Sequence, residues 1–308
     1  MHLSDSSAAT PARGGLAVVV ALGIVYVVWG STYLGIHFAL EGGFPPLLMA
    51  GGRFLLAGVL MYAVLRWRGV PAPSRSQWKD LAFLGLLLMA IGNGMVSIAE
   101  QWVSSGLAAV AVAATPMWMG VFAALRGHHP NRLEWLGMGI GFIGVLWLNA
   151  GSSLSAQPKG LVALLLASLA WSYGSIWSRE RSLPSPFMSA AGQMLCGGVI
   201  MLVAGFAFGE QFTAMPSTKA ILSVLYLLVF GSLIGFTAYV WLLHHVRPAL
   251  ASSYAYVNPV IAVGLGAWLA GERFSAHDLG AMAVILSGVV AITLARARAR
   301  QPVLEKTP

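Results

Sequence analysis

Arg53 is the only charged residue in the stretch 45–65. A guanidinium among apolar residues is costly without a partner, and its planar fork matches a carboxylate. Two uses follow. Arg53, alone or paired with Glu100, meets a substrate carboxylate, or it snorkels as a structural cation towards a polar layer. Asn93, Ser97 and Glu100 recur at spacings of four and three, which places them on one polar face of a helix. Such a face lines a cavity or makes an interhelical hydrogen bond. Tyr26, Trp29, Tyr33 and His37 recur at three, four and four, and Trp171, Tyr173 and Trp177 make a second aromatic group. Aromatic walls suit amphipathic or cationic solutes, although packing and lipid-facing belts use the same residues. Pro116 and Pro259 lie near the centres of two further apolar runs. Proline deletes a backbone donor, so each kinks its helix, as a hinge or for packing. Ser252, Tyr256 and Pro259 share a face, from which Asn258 points away.

The elements that carry these residues follow from composition. The chain has 308 residues, of which 58% are hydrophobic and 9% charged. A soluble domain carries about 25% charged residues, so soluble globular, nucleic-acid-binding and disordered classes are excluded. Cys196 is the single cysteine, which excludes an internal disulfide and a cysteine-based zinc site. His128-His129 and His244-His245 have no acidic or cysteine neighbour, so no metal is expected. No paired acids, His-x-x-x-His or Ser/His group forms a reactive cluster, so no catalytic residue is assigned. No Gly-rich phosphate loop is present, which leaves ATP drive and other cofactors without a site.

Charge-free windows at 14–40, 81–99, 101–125, 135–158, 160–178, 182–209, 220–246, 248–271 and 279–295, with 45–65, predict ten membrane-spanning helices. Nothing alternates as the strands of a membrane barrel would. With the N-terminus cytoplasmic, fourteen of the 18 Lys and Arg fall in inside segments and three, Lys159, Lys219 and Arg273, outside. The positive excess is thus an orientation signal, with both termini cytoplasmic. Short connections leave no soluble domain, which counts against a signalling receptor.

The ten spans divide into two sets of five. Trp29-Gly30-Ser31 matches Tyr173-Gly174-Ser175, Thr115-Pro116 matches Asn258-Pro259, and Gly137 matches Gly280, at offsets of 144, 143 and 143. Three matches near one offset point to duplication. Because five is odd, the second copy enters the membrane from the opposite side, an arrangement suited to alternating access around a midplane site. Gly137, Gly141 and Gly144 make a small-residue face for close helix packing.

The stretches Trp29-Gly30-Ser31-Thr32-Tyr33, Arg53-Phe54, Gly92-Asn93-Gly94-Met95, Ala255-Tyr256-Val257-Asn258-Pro259-Val260 and Gly271-Glu272 resemble EamA domains of the drug/metabolite transporter superfamily. The resemblance implies an all-α integral membrane protein of ten helices in two inverted five-helix repeats. The first repeat would cover 16–150 and the second 158–296, between cytoplasmic tails at 1–15 and 297–308. It implies a bacterial inner-membrane exporter with a small-molecule substrate, surrounded by the lipid bilayer, with no nucleic-acid partner and sufficient as a monomer. Substrates would be small amphipathic metabolites, amino acids or related compounds, with multidrug efflux as the alternative and a membrane enzyme or receptor as the remote one. Trp29, Ser31, Tyr33, Arg53, Asn93, Glu100, Trp171, Tyr173, Tyr256 and Asn258 are the expected cavity residues, with Pro116 and Pro259 as hinges. Gly127-His128-His129 departs from the Gly-Glu that ends the equivalent helix, so Glu272 receives no paired gating role. No acid lies deep in a span. Facilitated efflux and proton coupling both stay open, with Glu100 as the acid that coupling would use.

Overall fold

Backbone groups in apolar surroundings must hydrogen-bond to one another, and a helix does this within one segment. In a computed structural model that describes residues 11–127, 132–149, 157–246, 251 and 253–298, the chain is helical throughout, with no strand among these residues. The helices are α1 (Pro11–Glu41), α2 (Pro46–Trp67), α3 (Arg75–Ala99), α4 (Ser105–Leu125), α5 (Arg132–Asn149), α6 (Pro158–Ser178), α7 (Pro186–Ala207), α8 (Thr218–His245), α9 (Tyr254–Leu269) and α10 (Ala276–Arg298). Among the described residues seven of them, α1 to α4 and α6 to α8, are long and apolar enough to cross a membrane, while α9 offers the shorter apolar stretch Val257–Leu269. The centres of α3 and α8 are π-helical, over Gly85–Asn93 and Leu227–Phe236. α4 is interrupted by a turn at Ala113–Ala114.

Local sequence signals set the ends. Ser74 begins α3 by accepting from the Gln77 amide, with the Gln77 side chain returning the bond, and Ser217 begins α8 by accepting from the Ala220 amide. Proline occupies the first turn of α2, α6 and α7, where its missing N–H costs nothing. α2 and α7 both end at a glycine with positive φ, Gly69 at 80° and Gly209 at 78°, a conformation that glycine adopts without steric penalty.

Helix contacts come in equivalent sets. α1 packs on α9 as α6 packs on α4, and α3 packs on α7 as α8 packs on α2. The most extensive contacts join equivalent helices to each other, α2 to α7 and α5 to α10. Glycine makes both seams possible. A Cβ on Gly198 would lie 2.6 Å from the Leu55 nitrogen and 2.8 Å from its Cα, and one on Gly288 would lie 2.5 Å from the Gly141 nitrogen and 2.6 Å from the Gly137 carbonyl oxygen. The expected glycine face of α5 is therefore a backbone-to-backbone contact with α10. Outward faces carry exposed apolar side chains such as Val59, Leu60, Val203, Phe206, Leu222 and Leu225, the surface a lipid bilayer covers.

Gly198→Ala should lower the thermal unfolding midpoint of the detergent-solubilised protein. The intruding Cβ meets backbone that cannot rotate away, an overpacking penalty of about 1–3 kcal/mol. Gly52→Ala, on α2, the other helix of that seam, but with nothing within 4 Å of its Cβ position, should leave the midpoint unchanged or raise it. Equal midpoints for the two variants would remove the seam from the account of stability.

Candidate functional site

The two π-helical segments and the helices beside them line a partly open cavity, whose empty space counted out to open solvent is about 670 Å³. Gly92 and Asn93 close the first segment and line the cavity, while Gly231 and Phe236 line it from the second. A π turn is wider than an α turn, and a glycine within it withdraws a side chain, so the backbone of α3 and α8 is itself cavity wall. Helices α1, α2, α4, α6 and α9 contribute the remaining lining.

Aromatic rings gather at one side. The Trp29 centroid lies 5.6 Å from Trp171, 4.9 Å from Tyr239 and 5.1 Å from Tyr254, mostly edge to face. Polar edges are used within the group: Trp171 Nε1 donates to the Tyr239 hydroxyl at 3.2 Å, the Ser175 hydroxyl lies 3.1 Å from the same oxygen, and Trp29 Nε1 donates to the Gly231 carbonyl at 3.3 Å. These bonds fix ring orientation and leave apolar faces towards the cavity.

Polar groups converge from the other helices. Arg53, 3% exposed, holds its guanidinium 4.5 Å over the Phe54 ring and beside Gly231. Its Nε is buried without a hydrogen-bond partner, and no carboxylate of the described residues lies within 4.0 Å. A buried cation without an ion pair at this range carries a desolvation cost that nothing adjacent offsets. Asn93 donates through Nδ2 to the Leu88 carbonyl at 3.1 Å. The Asn258 amide nitrogen, placed by its hydrogen-bonding geometry, donates to the Tyr26 and Tyr254 carbonyls at 3.1 and 3.2 Å. Thr32 and Tyr33 complete the polar lining from α1.

Of the expected cavity residues, Trp29, Tyr33, Arg53, Asn93, Trp171 and Asn258 meet at this cavity. Ser31 faces α8, with its hydroxyl 2.5 Å from that of Tyr226. Tyr173 lies against Phe122 and beneath Arg126, towards the end of α4. There Arg126 pairs with Glu180, and that carboxylate raises the guanidinium further above its ordinary range. Glu100 is buried one turn beyond the cavity-lining Val96, with neither oxygen hydrogen-bonded. Ser97, on the same polar face, donates to the Asn93 carbonyl at 3.1 Å. Tyr256 lies on α9, but its side chain is outside the described residues, as are His128, His129 and Ser252.

The two prolines differ. Pro259 lies inside α9, whereas Pro116 opens the second segment of α4 just after the Ala113–Ala114 turn. The Val112 carbonyl, which an N–H at position 116 would have met, accepts from Thr115 Oγ1 at 2.6 Å instead. His244 and His245 place Nδ1 at 2.9 and 2.8 Å from the Val240 and Trp241 carbonyls of their own helix.

Sequence reasoning missed Tyr239 and Tyr254. Tyr254 precedes Asn258 by four, a same-face spacing that was available, whereas Tyr239 sits in an apolar run with no polar period to mark it. It also missed that Glu272 caps α4. That carboxylate accepts from the Ser105 amide and hydroxyl at 2.9 and 2.7 Å and from the Gly106 amide at 3.2 Å. Glu210 does the same for α2, accepting from the Leu47 and Leu48 amides.

The pattern of the EamA-like transporter family matches this chain twice, at residues 16–150 and 158–294. Over 277 residues, 90% of either chain, the sequence is 46% identical to the uncharacterized inner membrane transporter YedA of Escherichia coli (strain K12). It is 25% identical over 272 residues to the uncharacterized transporter YvbV of Bacillus subtilis (strain 168), across 87% of this chain and 88% of that one. A crystal structure of a protein 20% identical in sequence superposes with a TM-score of 0.67, over 92% of this chain and 99% of that one, a likeness of fold. Two tandem matches that together span most of the sequence make the chain a member of the EamA-like transporter family.

Proposed function

We propose that the protein is a bacterial inner-membrane secondary transporter that exports small amphipathic carboxylates, amino acids or related compounds, by alternating access. The observation that carries this reading is Arg53: a buried guanidinium with no carboxylate of the described residues within 4.0 Å, on the wall of a mostly apolar and aromatic cavity. A substrate carboxylate would pair with it, Asn93 and Asn258 would orient the remaining polar groups, and Trp29 and Trp171 would hold the apolar part. Ten spans in two inverted repeats, with both termini cytoplasmic, belong to this proposal. They are supported by the doubled helix contacts, the doubled π segments and the distribution of Lys and Arg. Two inverted copies of one packing arrangement, exchanged between halves, give inward-open and outward-open states of similar energy. The turn ahead of Pro116 and the proline within α9 are where α4 and α9 would bend. Both halves of the cavity are on one chain, so a monomer suffices. The inner-membrane assignment draws on the 46% identity to YedA.

Efflux of cationic drugs is the second reading, favoured by Trp29 and the three rings around it, whose faces attract cations. Arg53 divides the two, since it recruits anions and repels cations.

Reconstituted in liposomes, the protein should show saturable counterflow of labelled amino acids. Arg53→Ala should raise KM about ten- to a hundredfold, the loss of a charged hydrogen-bonding partner, and Arg53→Lys should recover part of it. Undiminished counterflow in Arg53→Ala would refute the carboxylate site. Trp171→Ala should weaken transport on either reading. Extrusion of a lipophilic cation that survives Arg53→Ala but is lost in Trp171→Ala would identify drug efflux instead.

A further inference from the structure

Glu100 has no function in the cavity as described, and its surroundings are unusual for an ionised carboxylate. It follows α3 directly, is 5% exposed, and neither carboxyl oxygen has a hydrogen-bond partner. No Lys, Arg or His nitrogen of the described residues lies within 4.0 Å of it. The charged or titratable groups that face it are Tyr33 from α1, Arg53 from α2 and Glu272 from the connection between α9 and α10. α6, whose Gly160 packs beside the Ala99 carbonyl, brings the exposed Lys159 near this end and Tyr173 at its other end. Glu272 and Glu100 are therefore a carboxyl pair in opposite environments. Three donors converge on Glu272, which suits a charge, and none reaches Glu100. When two neighbouring carboxyls differ in this way, the proton resides on the one without donors.

We infer that Glu100 is a proton-binding site linked to the cavity, so that a proton on Glu100 and a substrate carboxylate on Arg53 bind together. The inference rests on the carboxylate reading of Arg53. With Glu100 neutral, Arg53 is an uncompensated cation and recruits an anion. With Glu100 ionised, the two charges compensate each other and the cavity loses its attraction for one. The step is a proton transfer alone: a proton from water adds to one Glu100 oxygen, and nothing is oxidised or reduced. Export down the substrate's own gradient would then carry a proton out with each carboxylate.

The test uses the full chain in lipid nanodiscs and two measurements. Infrared difference spectra across a pH titration should contain the C=O stretch of a protonated carboxyl that titrates in wild type and in the exposed-site control Glu41→Gln, and is absent in Glu100→Gln. Its presence in Glu100→Gln, or its absence from wild type, overturns the proton site whatever the cavity binds. Calorimetry with benzoate, and with benzamide as the uncharged ring of the same shape, then tests the linkage. Wild-type affinity for benzoate should rise as pH falls from about 8 to about 6, by up to about tenfold per pH unit, with proton uptake from buffer. Glu100→Gln should bind benzoate at every pH with no such slope, and benzamide should bind without one in either protein. A slope retained in Glu100→Gln overturns the linkage. A titrating carboxyl without benzoate binding would instead remove the carboxylate reading of Arg53, and with it the co-binding.

Discussion

The close approach of α2 to α7 determines where the cation of this protein points. Gly51 and Gly58, two turns apart on one face of α2, let that face meet the backbone of α7; Gly198 does the same in return, and Gly205 makes room for the Leu47 and Leu48 side chains. Each helical residue advances about 100° around the axis, so Arg53, two beyond Gly51, lies on the opposite side of α2. With one face fixed against α7, the guanidinium lies on the cavity wall beside Gly231 of α8. Widening the seam would rotate or displace α2 and change the site, although no seam residue touches the cavity.

Duplication supplies the frame, and its imperfections supply the chemistry. α2 and α7 have the same length and start 140 residues apart, so the position matching Arg53 is Gln193. Gln193 is buried and neutral, with its side-chain oxygen unpartnered. One repeat therefore places a charge on the cavity wall where the other carries a neutral amide away from it. The paired helices α4 and α9 also differ: one is broken ahead of its proline, while the other continues through it. The carboxylates of Glu210 and Glu272, both from the second repeat, cap the amino ends of α2 and α4 in the first. These bonds across the halves couple the position of each helix to the opposite repeat.

The π segments resolve a conflict between packing and opening. A cavity between helices needs backbone to stand back from the centre, while the seams need backbones in contact. Widening α3 and α8 at Gly85–Asn93 and Leu227–Phe236 places glycine at the wall without shortening either helix or leaving its backbone unpaired. Hydrogen bonds inside the aromatic group then orient Trp29, Trp171 and Tyr239, so the apolar wall is built from rings that cannot turn freely.

Sequence alone determined the helical class, the positions of the apolar runs, the duplication and the small-residue face of α5. Each follows from local composition or from a period along the chain, as charge-free windows and a repeated offset do. It also singled out Arg53 and Asn93, since a polar residue in an apolar run is conspicuous wherever it lies. Which aromatic side chains face one another was decided only in three dimensions. Trp29, Trp171, Tyr239 and Tyr254 come from four helices far apart in sequence, and no spacing relates them. Ser31 and Tyr173 carry the same repeat signature as their neighbours, yet packing turns them towards Tyr226 and Phe122. That Glu100 is buried without any hydrogen-bond donor was equally illegible, because whether packing covers a carboxylate at a helix end is decided by the neighbouring helices. The period of a helix fixes which residues share a face, but only the neighbouring helices decide whether that face meets protein, lipid or an open cavity.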